Sequence, residues 1–151
     1  MKAFRFTLDS VKVLRERQER DSLEVYALKL KRRQEAAEQV EKIHQELAST
    51  WMKMRSELME GASCGEINRL RDFCRVLEER RKEAAAGLQL AESEVNRTFQ
   101  VFLTARAERE VVDKFFDSQK AAWDRTLSKV EQKLLDEMAT RRSPAGELLK
   151  G

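Results

Sequence analysis

The side chains best suited to metal binding or nucleophilic catalysis are the thiols of Cys64 and Cys74 and the imidazole of His44. The sequence contains 2 cysteines and 1 histidine in 151 residues. A structural zinc site takes about four nitrogen or sulfur ligands, so this set falls short of one. We therefore expect two reduced thiols, as in a cytosolic protein, and no metal or cofactor.

Carboxylates are plentiful, as at Glu78, Glu79 and Glu83. Catalysis needs a nucleophile, a base and an orienting group that meet in a cleft, whereas acids on an exposed helix form a solvated face. The segment EGASCGE, residues 60–66, lacks the lysine and the strand–helix context of a phosphate-binding loop. We predict that the protein is not an enzyme and has no small-molecule substrate.

The charge pattern argues against nucleic acid and membrane as binding partners. Lys and Arg outnumber Asp and Glu by 30 to 27, but the two signs alternate along the chain, as in VLEERRKEAAAG. Such a pattern solvates a helix and makes no single-signed stripe for phosphates. No apolar run approaches the roughly 20 residues of a membrane span, and no secretion signal opens the chain. We expect a cytoplasmic protein without direct membrane insertion.

The elements that carry these residues are few and long. The chain has 5 Gly and 1 Pro, and 38% of its residues are charged, a composition typical of long helices. Thr7 or Asp9 can cap a first helix over about residues 7–59. EGASCGE predicts a turn over 60–66, and a second helix follows over about 66–142. Ser143, Pro144 and Gly146 then predict a disordered tail over 143–151, in a single domain.

The second helix keeps a heptad pattern nearly to its end. Steps of three and four residues place two sets of side chains on one narrow seam, the pattern of a coiled coil. The first set is Cys74, Arg81, Leu88, Val95, Phe102, Arg109, Phe116, Trp123 and Val130, and the second is Leu70, Leu77, Ala84, Ala91, Ala105 and Val112.

The first helix has a less regular pattern. Its apolar residues change phase between Leu28 and Ala36, which predicts a stutter that locally relaxes the supercoil. The predicted seam residues are Val11, Leu14, Val25 and Leu28 before the change, and Ala36, Val40, Ile43, Leu47, Met54 and Leu58 after it.

A short turn between long helices makes them antiparallel, with residue i facing roughly residue 125 − i. The fold class is therefore all-α, a long two-helix antiparallel coiled-coil hairpin whose second helix is the longer. Phe4 and Phe6 fall near Trp123 in this register. Leu127, Leu134 and Met138 extend past any partner in the same chain.

Two stretches and the single turn between them resemble the FliJ family, the stalk and general-chaperone proteins of the flagellar type III export apparatus. The stretches are FRFTLDSVKVLRERQE and AAWDRTLSKVEQKLLDEMATRR, and the resemblance spans nearly the whole chain. The most specific positions are Phe4, Phe6, Leu8, Val13, Leu14 and Arg17 in the first, and Trp123, Lys133, Leu135, Asp136 and Glu137 in the second.

The resemblance implies a central stalk whose termini insert into the hexameric export ATPase and promote its assembly. It also implies contacts with the membrane export gate and with export chaperones, and thus peripheral association with the cytoplasmic face of the membrane. The implied ATPase-binding residues are Phe4, Phe6, Leu8, Trp123, Leu127, Leu134 and Met138. In FCRVLEERRKEA, Phe73 and Leu77 match the gate-binding pattern, whereas Arg80 and Ala84 depart from it.

Three other functions are alternatives to this one. The stalk protein of a virulence-type injectisome shares the same pattern, and neighbouring genes would separate the two. A homodimeric coiled-coil spacer predicts a stable dimer or tetramer in sedimentation. A basic helical nucleic-acid binder predicts binding that falls steeply with salt, and the mixed charge argues against it. Phe4 and Phe6 are either the clasp that closes the hairpin or part of a partner-binding tip.

Overall fold

The structure, a computed structural model, describes the backbone of residues 3–150 and the side chains of residues 3–142. Helix α1 spans Asp9–Glu60 and helix α2 spans Cys64–Lys150, 52 and 87 residues long. Residues 3–150 contain no strand. The all-α class with a longer second helix is confirmed. α2 continues past the predicted end at residue 142; the predicted tail over 143–151 lies outside the described side chains and stays a prediction.

Two capping motifs make the turn tighter than the predicted segment 60–66. Gly61 has φ +83°, and the N–H of Ala62 donates to the carbonyl of Glu57 at 3.0 Å, as in a Schellman motif. Ser63 then caps α2, because its Oγ accepts a hydrogen bond from the N–H of Glu66 at 3.4 Å. Only residues 61–63 lie between the helices.

The chain divides into two compact units. The terminal unit consists of Met1–Gln18 and Arg106–Gly151, and the turn unit of Glu19–Ala105. The helices pack antiparallel in each. In the terminal unit Phe6 contacts Phe116 while Arg15 contacts Glu108. In the turn unit Tyr26 contacts Phe102 while Ile43 packs near Leu77. These pairs lie close to the predicted register, so the antiparallel arrangement is confirmed.

The core of the turn unit is a narrow line of side chains between the two helices. Leu77 is its centre and is 0% exposed. A seam between two helices buries one stripe from each, so every buried side chain carries a large share of the packing. The core cluster comprises Ile43, Leu47, Met54, Cys74 and Leu77, with Ile67, Leu70 and Ala84 packed against it.

The predicted seam of α2 is largely confirmed. Cys74, Leu77, Val95 and Ala105 are buried at heptad positions. Thr98 occupies the heptad position between Ala91 and Ala105, where the predicted seam has no apolar residue. Its hydroxyl donates to the carbonyl of Glu94 at 2.8 Å. This hydrogen bond satisfies the polar group within its own helix, so the threonine is tolerated in the seam. Arg81 and Val130 are the exceptions, because both are exposed.

The predicted stutter in α1 is wrong. Of the residues that the pattern placed on the α1 seam, Leu14, Val25, Leu28 and Leu58 are exposed. In the first half of α1, polar and aromatic side chains occupy the seam instead. The seam positions follow one heptad pattern along the whole helix, and only Arg33 in that series is exposed. The half-buried or buried residues of this series are Lys12, Arg15, Glu19, Ser22, Tyr26, Lys29, Ala36, Val40, Ile43, Leu47, Thr50, Met54 and Glu57.

Charged residues are tolerated at these seam positions because α2 provides partners for them. Arg15 Nη1 lies 2.6 Å from Glu108 Oε2 in the terminal unit. Lys29 Nζ lies 3.5 Å from Glu94 Oε2 in the turn unit. Long side chains can lie along the seam with their apolar stems while their charged ends reach its margin. An apolar pattern cannot identify such positions.

Candidate protein-interaction surfaces

The N-terminal residues form a short non-helical segment before α1. The N–H of Asp9 donates to the carbonyl of Phe6 at 3.2 Å, and the N–H of Lys12 donates to the carbonyl of Leu8 at 2.9 Å. These bonds start the helix at Asp9, whose negative charge suits the first turn of a helix. Residues 3–8 therefore do not belong to α1, and their side chains can pack against α2.

Phe4 and Phe6 join α2 through an aromatic cluster, here defined as Phe4, Phe6, Phe115, Phe116 and Trp123. Phe6 is 8% exposed, and its ring centroid lies 5.1 Å from that of Phe116 and 5.8 Å from that of Phe115. Phe4 lies 5.6 Å from Phe116 and 5.8 Å from Trp123. The sequence placed both phenylalanines near Trp123; the structure does so for Phe4, while Phe6 packs farther back along α2.

Two lysines complete the aromatic cluster. Lys12 Nζ lies 3.9 Å from the centroid of Phe116. Lys120 Nζ lies 5.0 Å from the centroid of Phe4 and 4.7 Å from that of Trp123. A cation over a ring face is attracted by the ring quadrupole. Lys120 therefore helps to hold Phe4 of the N-terminal segment against α2, whereas Lys12 joins α1 to α2. Sequence reasoning missed them, although Lys120 is four residues after Phe116 and three before Trp123, on the same helix face.

An apolar stripe continues along α2 beyond the aromatic cluster. We call Leu127, Val130, Leu134 and Met138 the α2 stripe, because steps of three and four residues place them on one helix face. Leu127 is half-buried, whereas Leu134 is 55% exposed and Met138 is 64% exposed. Leu8 is also exposed. Three of the predicted ATPase-binding residues thus share one face, and the remaining four lie in or beside the aromatic cluster.

The two predicted gate-binding residues have different environments. Phe73 is 46% exposed, whereas Leu77 is fully buried in the core cluster of the turn unit. Arg80 and Ala84, which depart from the family pattern, line a groove of about 410 Å³ with Gln39, Ile43 and Glu46. Phe73 is seven residues from Arg80 and hence on the same side of α2. Of the predicted pair, Phe73 alone is accessible to a partner.

Electrostatic interactions in the turn unit centre on Glu94. Arg97 donates to this carboxylate at 2.8 Å, and that hydrogen bond lowers the pKa of Glu94, with further lowering by the charges of Arg97 and Lys29. The same hydrogen bond raises the pKa of Arg97. Burial raises the pKa of the Cys74 thiol, and the negative charge of Glu78 adds to this effect. Cys74 is therefore a packing residue rather than a reactive thiolate.

The side chains best suited to metal binding or nucleophilic catalysis are not brought together. Cys64 is exposed, Cys74 is buried, and both are free thiols. His44 is exposed on α1. Among the described residues, no group of three or more His, Cys, Asp or Glu side chains could hold a metal ion. Within the same residues, no helix is long and apolar enough to cross a membrane.

The accessible features are therefore apolar and aromatic surfaces on a charged helix pair, a pattern typical of binding to other proteins. A family model described as "Flagellar FliJ protein" matches residues 4–146. This match includes the N-terminal segment, the turn and the α2 stripe. Comparison with curated proteins and with solved structures gives no match. The chain belongs to the flagellar FliJ protein family.

Proposed function

We propose that this protein is the central stalk of the hexameric flagellar export ATPase, without catalytic activity of its own. In this proposal it promotes assembly of the ATPase ring, links the ring to the membrane export gate, and escorts export chaperones. Family membership makes the chain a flagellar export-related protein. The finer roles rest on the surfaces of the two units.

The exposed α2 stripe is the observation that most supports the ATPase contact. Leu134 and Met138 present apolar side chains beside the charged residues Lys133, Asp136 and Arg141. Six equivalent ring surfaces cannot all match one asymmetric set of side chains. A mixed apolar and charged surface therefore suits this partner, with modest contacts steered by charge.

The aromatic cluster suits a supporting role in the same contact. Phe6 is buried, so we assign it to holding the N-terminal segment in place. Phe4 and Trp123 are half-buried, and Leu8 is exposed, which leaves part of each side chain for the ATPase. We therefore assign different roles to the two phenylalanines. Phe6 holds the helix pair closed, whereas Phe4 both holds it closed and contacts the ATPase.

For the gate contact we propose Phe73 as the residue that touches the partner. Leu77 is buried below the surface and supports the helix pair at this point. Val76 is also exposed on α2 and increases the apolar area available nearby. Through such a contact the protein would associate peripherally with the cytoplasmic face of the membrane, while chaperones bind elsewhere on the helix pair.

The stalk proposal is tested by mixing the purified protein with its cognate export ATPase. We expect co-purification, more hexamer in sedimentation and faster ATP turnover. Leu134→Glu with Met138→Glu should abolish these effects, since two charges would replace the apolar face. Leu90→Glu is the matched control, because Leu90 is 71% exposed on α2 in the turn unit. Absence of binding and of any change in assembly or turnover would contradict the proposal.

The roles of the two phenylalanines are separated by single substitutions. Phe4→Ala should weaken ATPase association with little loss of helix content, because part of its ring is accessible. Phe6→Ala should first loosen the N-terminal segment with helix content retained in circular dichroism, and Trp123 fluorescence in a Trp51→Phe background would report the loosening. Equal loss of helix content in both variants would make both residues structural.

A homodimeric spacer is the competing function, because a second copy could also cover the α2 stripe. Sedimentation of the protein alone decides between them. The stalk proposal predicts a monomer, whereas the spacer predicts a stable dimer that the same two charge substitutions dissociate.

A further inference from the structure

An apolar surface on α1, separate from the surfaces above, has no partner among the described residues. We call Trp51, Met52, Arg55, Leu58 and Met59 the α1 outer face. Met52 is 72% exposed and Met59 is 82% exposed, while Trp51 and Leu58 are more than half exposed. Trp51, Met52, Arg55 and Leu58 line a groove of about 370 Å³ together with Met54.

The α1 outer face adjoins the seam, so this part of α1 is apolar over a wide arc. Leu47, Thr50 and Met54 already face α2 as buried residues. Trp51 and Leu58 follow buried or half-buried seam positions by one residue, which places them beside the seam on a helix. A two-helix contact needs only the narrow seam, whereas the wider arc is the pattern of a helix packed against two neighbours.

The charges around this groove define the chemistry of the occupant. Arg55 is the only charged residue lining it, and it has no ion pair among residues 3–142. Helix periodicity places Arg71 and Arg75 of α2 on the side of Cys74 that is away from Phe73. This is the same side of the seam as the α1 outer face. Neither has an ion pair within the described side chains. An unpaired guanidinium in an apolar groove suits a carboxylate, which it can bind bidentately.

We propose that the α1 outer face docks an amphipathic helix of another protein, with acidic side chains bordering its apolar face. Leucine-type side chains of that helix fill the groove between Trp51 and Leu58, and a carboxylate pairs with Arg55. Met52 and Met59 adapt to different apolar side chains because a methionine is unbranched and flexible. The contact would form a local three-helix bundle with α1 and α2.

A second copy of this chain fits the face poorly. Symmetric pairing of two α1 outer faces centred on Arg55 would bring two guanidinium groups together, and like charges in an apolar contact are unfavourable. The face also lies across the seam from the groove of Gln39, Glu46 and Arg80, which is on the Phe73 side. A helix bound here would therefore leave Phe73 accessible.

The probe is a synthetic amphipathic peptide of about five helical turns, with leucines on one face and glutamates along its margin. Its binding to the full-length protein is followed by fluorescence anisotropy of a label on the peptide. Arg55→Glu should weaken binding roughly tenfold or more, as expected for losing a charge-assisted pair. A second peptide with lysines in place of the glutamates should bind the Arg55→Glu variant more tightly than it binds the wild-type protein.

Arg32→Glu is the matched control, because Arg32 is an exposed arginine of α1 in the same unit and also has no ion pair among the described residues. It should change the affinity little. Leu58→Ser should weaken both peptides while circular dichroism remains unchanged. The proposal is overturned if the wild type does not bind the acidic peptide, or if Arg55→Glu and Arg32→Glu act alike. A dimer of the protein that Leu58→Ser dissociates would also overturn it, in favour of a second copy.

Discussion

In the turn unit the helices are joined by a turn and pack mainly through aliphatic side chains, whereas the terminal unit relies on the aromatic cluster. In the turn unit Ile43, Leu47 and Leu77 are buried between helices that a connection of three residues joins. In the terminal unit Phe4 and Phe6 come from a non-helical segment and pack on Phe116 and Trp123. Two-helix contacts bury little area, and aromatic rings bury the most area per residue.

The two ways of holding the helices together differ in how easily a partner can displace them. A turn with two capping motifs is fixed by the chain itself and cannot be displaced by a partner. The N-terminal segment is held against α2 by side chains, with Lys120 over the ring of Phe4. It can yield locally while α1 and α2 stay paired elsewhere, which suits the unit proposed to enter the ATPase. Four substitutions test this contrast.

The largest effect is expected for Leu77→Ala in the turn unit. Leu77 is fully buried, and truncating such a leucine leaves a cavity that typically costs about 3 kcal/mol of unfolding free energy. Urea unfolding followed by circular dichroism measures the loss. Leu90→Ala is the control, because Leu90 is mostly exposed and should change stability by less than about 0.5 kcal/mol. Equal costs for the two would mean that the seam is not the stabilising contact.

Phe6→Ala should have the next largest effect, about 2 kcal/mol, because the ring is nearly buried but belongs to a short surface segment. With Trp51→Phe as the background, since the chain has 2 tryptophans, the loss should appear first as a change in Trp123 fluorescence, before helix content falls. Phe73→Ala provides the same chemical change at an exposed position of the turn unit. If Phe6→Ala unfolded the protein in a single step with no earlier local change, the N-terminal segment would be part of the main core.

Gly61→Ala should destabilise the turn by about 1 kcal/mol, since an alanine at positive φ is strained. Nothing lies within 4 Å of an added Cβ, so the backbone conformation is the whole cause. Gly87→Ala is the opposite case: this helical glycine also has open space, and alanine there should stabilise by about 0.5–1 kcal/mol. Thermal unfolding of both variants gives the comparison, and a shift of the same sign in both would contradict it.

Glu94→Gln should give the smallest effect, and one that depends on pH. The folded pKa of Glu94 is lowered, so its contribution is present above the unfolded value of 4.5 and is lost as pH falls through the folded pKa. The variant should be less stable than the wild type near neutral pH and equal to it in strong acid. Unfolding at both pH values measures the difference. Glu92→Gln, at an exposed glutamate without an ion pair among the described residues, should show no such convergence.

Much of the fold could be predicted because its signals are local. The scarcity of turn residues predicted two long helices, and the glycines at 61 and 65 located the turn within residues 60–66. The heptad of α2 was predicted almost in full, since apolar residues mark it. The turn's true length was not, because it depends on the positive φ of Gly61 and the capping hydrogen bond of Ser63.

The candidate surfaces were less predictable. Grouping Leu127, Leu134 and Met138 needs only helix periodicity, and the sequence sufficed for it. Separating Phe73 from Leu77 needs the burial of each, and the sequence alone treated them as one site. Lys12 and Lys120 were missed because cation–π contacts between α2, α1 and the N-terminal segment depend on the position of each ring.

By itself, the sequence determined the helix pair, its antiparallel register and its family, because these follow from periodicity, from a single reversal and from the residue pattern over 4–146. Only the tertiary structure decided which face of α1 meets α2. Leu14, Val25 and Leu28 suggested one face, yet Arg15, Tyr26 and Lys29 occupy the seam, since Glu108, Phe99 and Glu94 provide their partners. A polar residue can be buried when a partner lies opposite, and that partner is distant in the chain.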